Sequence, residues 1–155
     1  PTSGASATRN QELCNNATPV INSEEGTLYA EISADEIITG RWISLLGATN
    51  ERLSFGFQGS NIRLYIRNSS GLIWDYQTSS IDILNYNKIA LKYKSGDYSL
   101  WVNGVESSTN NSTNLPNLTT LAFESGSAKF FGNTKDLKYY PKALADVQLE
   151  DLTTI

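Results

Sequence analysis

Cationic and aromatic side chains alternate along several short segments of the chain. Arg63, Tyr65 and Arg67 occupy every second position of one segment, and Lys92 and Trp101 lie in two later segments. An aromatic ring can stack on the C–H face of a pyranose, and cationic groups donate directional hydrogen bonds to its hydroxyl groups. These five residues are therefore the candidate ligand-binding residues, provided that their segments share one sheet. The alternative is that the aromatic residues cover a sheet or contact another domain or subunit.

The groups that common hydrolytic sites require are missing. The chain has no histidine and a single cysteine, Cys14, which excludes histidine-dependent nucleophilic catalysis, histidine metal ligands and an intramolecular disulfide. The acidic pairs at 24–25, 35–36 and 150–151 are adjacent residues, whereas a retaining glycosidase needs two carboxyl groups held close together, commonly on one face of a strand. The sequence therefore predicts a protein that is not an enzyme.

Charge and hydropathy argue against two classes of partner. The chain carries 12 basic and 16 acidic residues, a net charge of −4, whereas nonspecific nucleic-acid binding needs clustered positive charge. No apolar run approaches the roughly 20 residues of a membrane span. We therefore expect neither nucleic-acid binding nor membrane insertion. No phosphate-binding loop or EF-hand motif occurs, so no cofactor is predicted, although a calcium ion held by loop carboxylates such as Asp35 or Asp82 stays open.

Short apolar runs with a period of two recur from Thr27 onward and are separated by turn residues. The run at 61–67 is typical, and Asn103-Gly104 predicts a tight hairpin turn, because both positions tolerate positive φ. Roughly nine such runs predict an all-β domain, an antiparallel two-sheet jelly-roll sandwich. The segment at 144–152 has helical spacing and predicts a short C-terminal helix.

The same alternation assigns side chains to faces and divides the chain. Trp74 and Tyr76 are expected in the core, whereas Tyr29 and Trp42 are expected on outer faces, like Trp101. Residues 1–26 are polar and irregular, and we expect them to pack on a single domain that spans residues 27–155. Because the chain lacks methionine and begins at a proline, we expect it to be a piece of a longer polypeptide.

Several segments resemble a known family. Residues 86–93 and 96–105 resemble the central hairpin of concanavalin A-like, laminin-G-like jelly rolls, and residues 135–146 resemble the last strand and closing helix of that family. Residues 1–10 and 22–32 are similar to a variant found at the C-terminal ends of bacteriophage tail-fibre, head-fibre and receptor-binding proteins. The family commonly has a serine N-cap where this chain has an alanine, so the helix cap must come from elsewhere.

The resemblance implies a lectin-like recognition domain on the surface of a virion. Such a domain would serve host attachment by binding carbohydrate, namely a host cell-surface polysaccharide, or a protein receptor. The resemblance carries over no ligand residues, because the sites of this family vary between members. Two alternatives stay open: a structural domain that forms a homo-oligomer, such as a trimer, in a capsid or tail, and a carbohydrate-binding module of a secreted bacterial protein.

Overall fold

A computed structural model describes residues 19–37 and 39–155 as two stacked antiparallel sheets and one helix. The predicted all-β, two-sheet jelly-roll sandwich with a short C-terminal helix is thereby confirmed. The elements, in chain order, are β1 (Glu25–Ser33), β2 (Thr39–Leu46), β3 (Arg52–Gln58), β4 (Asn61–Asn68), β5 (Gly71–Gln77), β6 (Asn87–Lys94), β7 (Tyr98–Val102), β8 (Val105–Asn110), β9 (Thr120–Ala122), β10 (Glu124–Ser125), β11 (Ala128–Lys129), β12 (Asn133–Tyr140) and α1 (Asp146–Thr153).

Each of the two main sheets has five strands. One has the order β12-β1-β6-β7-β8 and is called the covered sheet below, because α1 packs on its outer face. The other has the order β5-β4-β3-β2-β9 and is called the open sheet. The two-stranded hairpin β10–β11 lies beside β2 at one side of the open sheet. Within the described residues, a helix therefore covers part of one outer sheet face, and no helix packs on the other.

The core lies between the two sheets and is built from every second side chain of their strands. The covered sheet contributes Leu28 and Leu91 to it, and the open sheet contributes Phe55 and Leu64, all fully buried. Trp74 is also buried in this core, and Tyr76 packs against it, as the alternation predicts. Inward-facing apolar residues therefore fix which side chains of each strand must face outward.

The predicted turn at Asn103-Gly104 joins β7 to β8. Asn103 and Gly104 have φ angles of 52° and 81°. Both central positions lie in the left-handed region, which tight two-residue hairpins favour. The turn prediction is confirmed.

The helix α1 closes the outer face of the covered sheet. Its one fully buried apolar side chain, Leu149, packs against Tyr29, Ala90 and Trp101 of the sheet. Ala145 at the N-cap has no side-chain hydrogen bond to the helix, and instead the Gln148 side-chain oxygen accepts a hydrogen bond from the Ala145 backbone N–H at 3.0 Å. This helix, the only one among the described residues, is not long or apolar enough to cross a membrane.

The proposed N-terminal segment is described only in part. Residues 1–18, which include Cys14, lie outside the described residues. In the part that follows, the Asn22 backbone N–H donates a hydrogen bond to the Tyr139 hydroxyl at 2.8 Å, and the Leu118 N–H donates one to Ser23 Oγ at 2.9 Å. Residues 22 and 23 therefore contact two separate parts of the sandwich.

The strands β2 and β3 approach each other so closely at one point that only glycine fits. The pairing of β2 with β3 shifts register between Thr39 and Arg41, and Gly56 faces this irregularity. A Cβ atom on Gly56 would lie 1.6 Å from the Arg41 carbonyl oxygen, far inside van der Waals contact. Gly56 is also the register partner of Trp42 on one side and Arg63 on the other, so no side chain separates these two on the outer face.

Replacing Gly56 by alanine is expected to lower the stability strongly, because β2 and β3 must separate to admit the methyl group. The comparison variant is Gly59→Ala, at a position where φ is +61° and no atom lies within 4 Å of the added Cβ. That variant carries only the conformational cost of about 1–2 kcal/mol. Urea denaturation followed by circular dichroism measures both, and equal losses for the two variants would contradict the close approach.

Candidate functional site

Trp101 lies on the outer face of the covered sheet, as predicted, but it is not exposed. It retains 8% of its accessible surface and packs with Tyr29 and Leu149 beneath α1. Its indole Nε1 donates a hydrogen bond to Ser99 Oγ at 3.1 Å. The expectation that Trp101 offers an open aromatic surface is therefore wrong, because the apolar face of α1 covers it.

Lys92 is likewise withdrawn from solvent. Its side chain is 6% exposed, and its Nζ lies 2.8 Å from Asp97 Oδ1 and 2.9 Å from Asp146 Oδ1. Burial lowers the pKa of Lys92, but the hydrogen bonds to the two carboxylates outweigh burial, and the net pKa lies above the ordinary lysine value. Asp146 is the first residue of α1, so its ion pair with Lys92 holds the helix on the sheet. The Lys92 ammonium group is therefore not presented to solvent.

Arg63, Tyr65 and Arg67 lie on β4 of the open sheet and face outward, as predicted, because Ile62, Leu64 and Ile66 fill the core between them. The strand β4 pairs with β3 and β5, whereas Lys92 and Trp101 belong to β6 and β7 of the other sheet. The five candidate residues therefore do not form one site. The condition that their segments share a sheet is not met, since alternation fixes a face of a strand but not its sheet.

The outer face of the open sheet gathers two further residues around these three. Arg52 is the register partner of Arg67, and Trp42 reaches Arg63 across Gly56. Adjacent strands are about 4.8 Å apart, so these side chains are close neighbours. We call the group the arginine–aromatic face; it comprises Trp42, Arg52, Arg63, Tyr65 and Arg67.

A pocket of about 210 Å³ opens on the arginine–aromatic face. It is lined by Trp42, Arg52, Arg63 and Tyr65, and by Ser125 from the hairpin β10–β11. Arg52 could have been found from the sequence, because it continues the outward set of β3 that alternates with Leu53, Phe55 and Phe57. Ser125 could not, because its place depends on how a two-residue strand packs beside β2.

The cations of this face are held by two different means. Arg63 donates from Nε and Nη2 to the two oxygens of Asp75, at 2.8 and 2.5 Å, and these hydrogen bonds raise the pKa of Arg63. The guanidinium carbon of Arg52 lies 4.5 Å from the centre of the Tyr65 ring, and that of Arg63 lies 5.8 Å from it. Such distances are typical of cation–π contacts. The ring of Tyr65 thus positions two guanidinium groups.

The rings leave little surface for stacking. Trp42 is 9% exposed, and Tyr65 has two guanidinium groups against its ring. This face therefore has no large exposed ring on which a pyranose could stack, contrary to the expectation from the sequence. What the face offers instead is a set of directed N–H donors beside a small pocket.

Larger pockets lie elsewhere on the surface and lack this combination. One of about 440 Å³ lies beside the turn between β6 and β7 and includes Gly96 and Asn110. Another of about 360 Å³ includes Lys92 and the start of α1. The first is lined by no cation, and the second by no aromatic residue, so neither joins cations to rings as the arginine–aromatic face does.

Metal ligands do not gather in the part of the chain that the structure describes. No group of three or more histidine, cysteine, aspartate or glutamate side chains is placed to hold an ion there. The Asp82 carboxylate accepts hydrogen bonds from the Leu84 backbone N–H at 3.1 Å and from Asn85 Nδ2 at 2.8 Å. Asp35 accepts one from Asn133 Nδ2 at 2.7 Å. Both loop carboxylates thus have protein partners.

Comparison with known proteins relates the chain to others by fold. No protein-family model matches it, and no curated protein sequence matches it. The Ruminococcus gnavus IT-sialidase CBM40 superposes with a TM-score of 0.69 at 16% identity, over 86% of this chain and 85% of that chain. Domain 4 of AbnA, a GH43 extracellular arabinanase from Geobacillus stearothermophilus, gives 0.66 at 15% identity, over 95% and 82%. A heptameric SAP-like pentraxin from Limulus polyphemus gives 0.64 at 14%, over 86% and 70%.

At these identities the similarity establishes the fold alone. The fold is the lectin-like, concanavalin A-like jelly roll that the sequence resemblance implies. Fold similarity does not identify a ligand, because one fold carries many sites.

The two aromatic residues first expected to bind ligand should differ sharply when truncated. Trp101→Ala removes a buried ring beneath α1 and is expected to cost about 3–5 kcal/mol of unfolding free energy. Tyr65→Ala removes a half-buried ring from an open face and is expected to cost about 1 kcal/mol. Urea denaturation followed by far-ultraviolet circular dichroism measures both. A Trp101→Ala protein as stable as Tyr65→Ala would show that α1 does not seal the covered sheet.

Proposed function

We propose that this domain is a non-catalytic recognition module that binds carbohydrate on the arginine–aromatic face of the open sheet. The observation that carries the proposal is the pocket of about 210 Å³ in which Arg52 and Arg63 stand beside Trp42 and Tyr65, on a sheet face that no helix of residues 19–37 and 39–155 covers. Concave sites with a few converging polar groups are the usual places for small ligands.

The chemistry of the pocket suits hydroxyl-rich ligands. Guanidinium groups supply N–H donors in a fixed planar array, and the hydroxyl of Ser125 can donate or accept. Because Asp75 and the Tyr65 ring already hold Arg63 and Arg52, little side-chain freedom is lost on binding. The residues that line the pocket include no carboxylate, which is consistent with binding rather than glycoside hydrolysis.

The solved structures of similar fold support a saccharide or a receptor as partner. The Ruminococcus gnavus module has been solved with α2,3- and with α2,6-sialyllactose, and the arabinanase domain with arabinotriose. The binding domain of botulinum neurotoxin DC has been solved with rat synaptotagmin II. These ligands belong to those proteins, and they support the class of partner proposed for this chain rather than its identity.

The wider setting rests on the sequence resemblance alone. We propose that the domain belongs to a bacteriophage surface protein, such as a tail or head fibre, and attaches the virion to host polysaccharide or receptor. There are two alternatives: a carbohydrate-binding module of a secreted bacterial protein, and a structural, oligomer-forming domain. The complete reading frame distinguishes the bacteriophage protein from the secreted bacterial protein. A light-scattering mass that shows a stable trimer would favour the structural domain.

Filling the pocket is expected to abolish binding without unfolding the domain. Ser125→Phe places a ring at the pocket from the hairpin β10–β11 and should weaken saccharide binding by at least about tenfold. Ser127→Phe is the matched control, since Ser127 is exposed on the same hairpin and does not line the pocket. A glycan array followed by calorimetry on the best ligand measures both variants. Unchanged binding by Ser125→Phe would place the ligand elsewhere, and an array without any bound glycan would refute the proposed function.

A further inference from the structure

Two arginines on the open face stand directly opposite each other, and no acidic side chain among the described residues pairs with either. Arg52 of β3 and Arg67 of β4 are register partners, and both point outward from the core. Like charges directly opposite on adjacent strands destabilise a sheet. The neighbouring arginines differ: Arg63 pairs with Asp75 and Arg41 lies 3.7 Å from Glu36, whereas neither Arg52 nor Arg67 has an ion pair with any residue in the described part of the chain.

The guanidinium groups of this pair are partly desolvated. The Nε atom of each is buried and has no hydrogen-bond partner among the described residues. No Nη atom of either residue is both buried and without a hydrogen-bond partner, so the Nη groups are the donors proposed to meet a ligand. Buried donors without partners are rare in folded proteins, and ionic hydrogen bonds strengthen where water is excluded. The pair is therefore unfavourable in the free protein and favourable toward an anion.

The nearest acidic residue in the sequence cannot neutralise the pair. Glu51 precedes Arg52, but its Oε1 accepts the Ser69 backbone N–H and its Oε2 accepts the Asn117 N–H, each at 2.9 Å. Both carboxylate oxygens are thus occupied by main-chain donors that join three loops. The positive charge of Arg52 and Arg67 stays available at the surface although the whole chain has a net charge of −4.

Resting on the proposed function, we propose that the ligand is an anionic saccharide whose carboxylate or sulfate group is bound jointly by Arg52 and Arg67. The planar N–H donors of arginine match the oxygens of either group in paired hydrogen bonds. Because Arg52 also lines the pocket, the sugar ring that bears or adjoins the anion lies in the pocket. Arg67 extends the site toward the turn between β4 and β5.

The test compares anionic saccharides with neutral partners of the same backbone. A glycan array containing carboxylated, sulfated and neutral saccharides is the first measurement, and we expect the bound set to be anionic. Polygalacturonate against its fully methyl-esterified form then examines carboxylate recognition, and dextran sulfate against dextran examines sulfate recognition. In at least one of these two arms the anionic polymer should bind the full chain at least tenfold more tightly than its neutral counterpart. Equal affinity within both pairs, or a bound set made only of neutral glycans, would overturn the inference while leaving carbohydrate binding intact.

The double variant Arg52→Gln/Arg67→Gln tests whether these two arginines cause the preference for anionic saccharides. It should lose at least tenfold in affinity for the anionic ligand, and its melting temperature should equal or exceed that of the wild type, because the repulsion between the two cations is gone. Lys94→Gln/Lys142→Gln is the matched control, since it removes the same charge from two exposed lysines remote from the open face. An equal loss of affinity in the lysine variant would show that the effect comes from the net charge of the protein and not from this arginine pair. A large fall in the melting temperature of the arginine variant would contradict the inference, because it would show that the pair stabilises the fold.

Discussion

The ion pairs at Lys92 and the burial of Leu149 hold α1 on the outer face of the covered sheet, and the surface left open to solvent depends on them. Lys92 Nζ bridges Asp97, at the turn before β7, and Asp146, at the start of α1, while Leu149 packs on Trp101. With α1 fixed in this way, Tyr29 and Trp101 of the covered sheet form a second, small core with Ala90 and Leu149. The outer face of the open sheet, on which no described helix packs, is the face proposed for a ligand, and its chemistry is set by arginines rather than by exposed rings.

Two arginines of the arginine–aromatic face are held in place by contacts within the domain. Asp75 holds Arg63 by two hydrogen bonds, the Tyr65 ring supports Arg52, and the buried hydroxyl groups of Ser44 and Ser54 bond to each other at 2.8 Å in the strands beneath. Groups that are held in place lose little entropy on binding. Preorganised charge therefore substitutes for the aromatic stacking that the residue types alone suggest.

Much of the fold could be predicted from the sequence, but only part of the grouping of residues on the candidate face. Alternation at 61–67 correctly turns Arg63 and Arg67 outward, because a period of two leaves one face for the core. It cannot say that β4 and β7 belong to different sheets, since register and sheet order depend on contacts remote in sequence. One signal in the sequence could have indicated that Trp101 is covered. The apolar side of the helix at 144–152 must pack on a surface, and Trp101 at an outward strand position offers one.

In the proposed site, Arg52 and Arg67, which form no ion pair within the described part of the chain, bear on selectivity as well as on affinity. An isolated pair of opposed cations raises the free energy of the unliganded domain, and an anion between them removes that cost, whereas a neutral sugar does not. Specificity is such a difference between two binding free energies. At physiological ionic strength charges are screened beyond about 8 Å, so a ligand seated at Arg52 and Arg67 experiences this local pair more strongly than the net negative charge of the chain. The proposed selectivity of the face for an anion is thus compatible with an acidic protein.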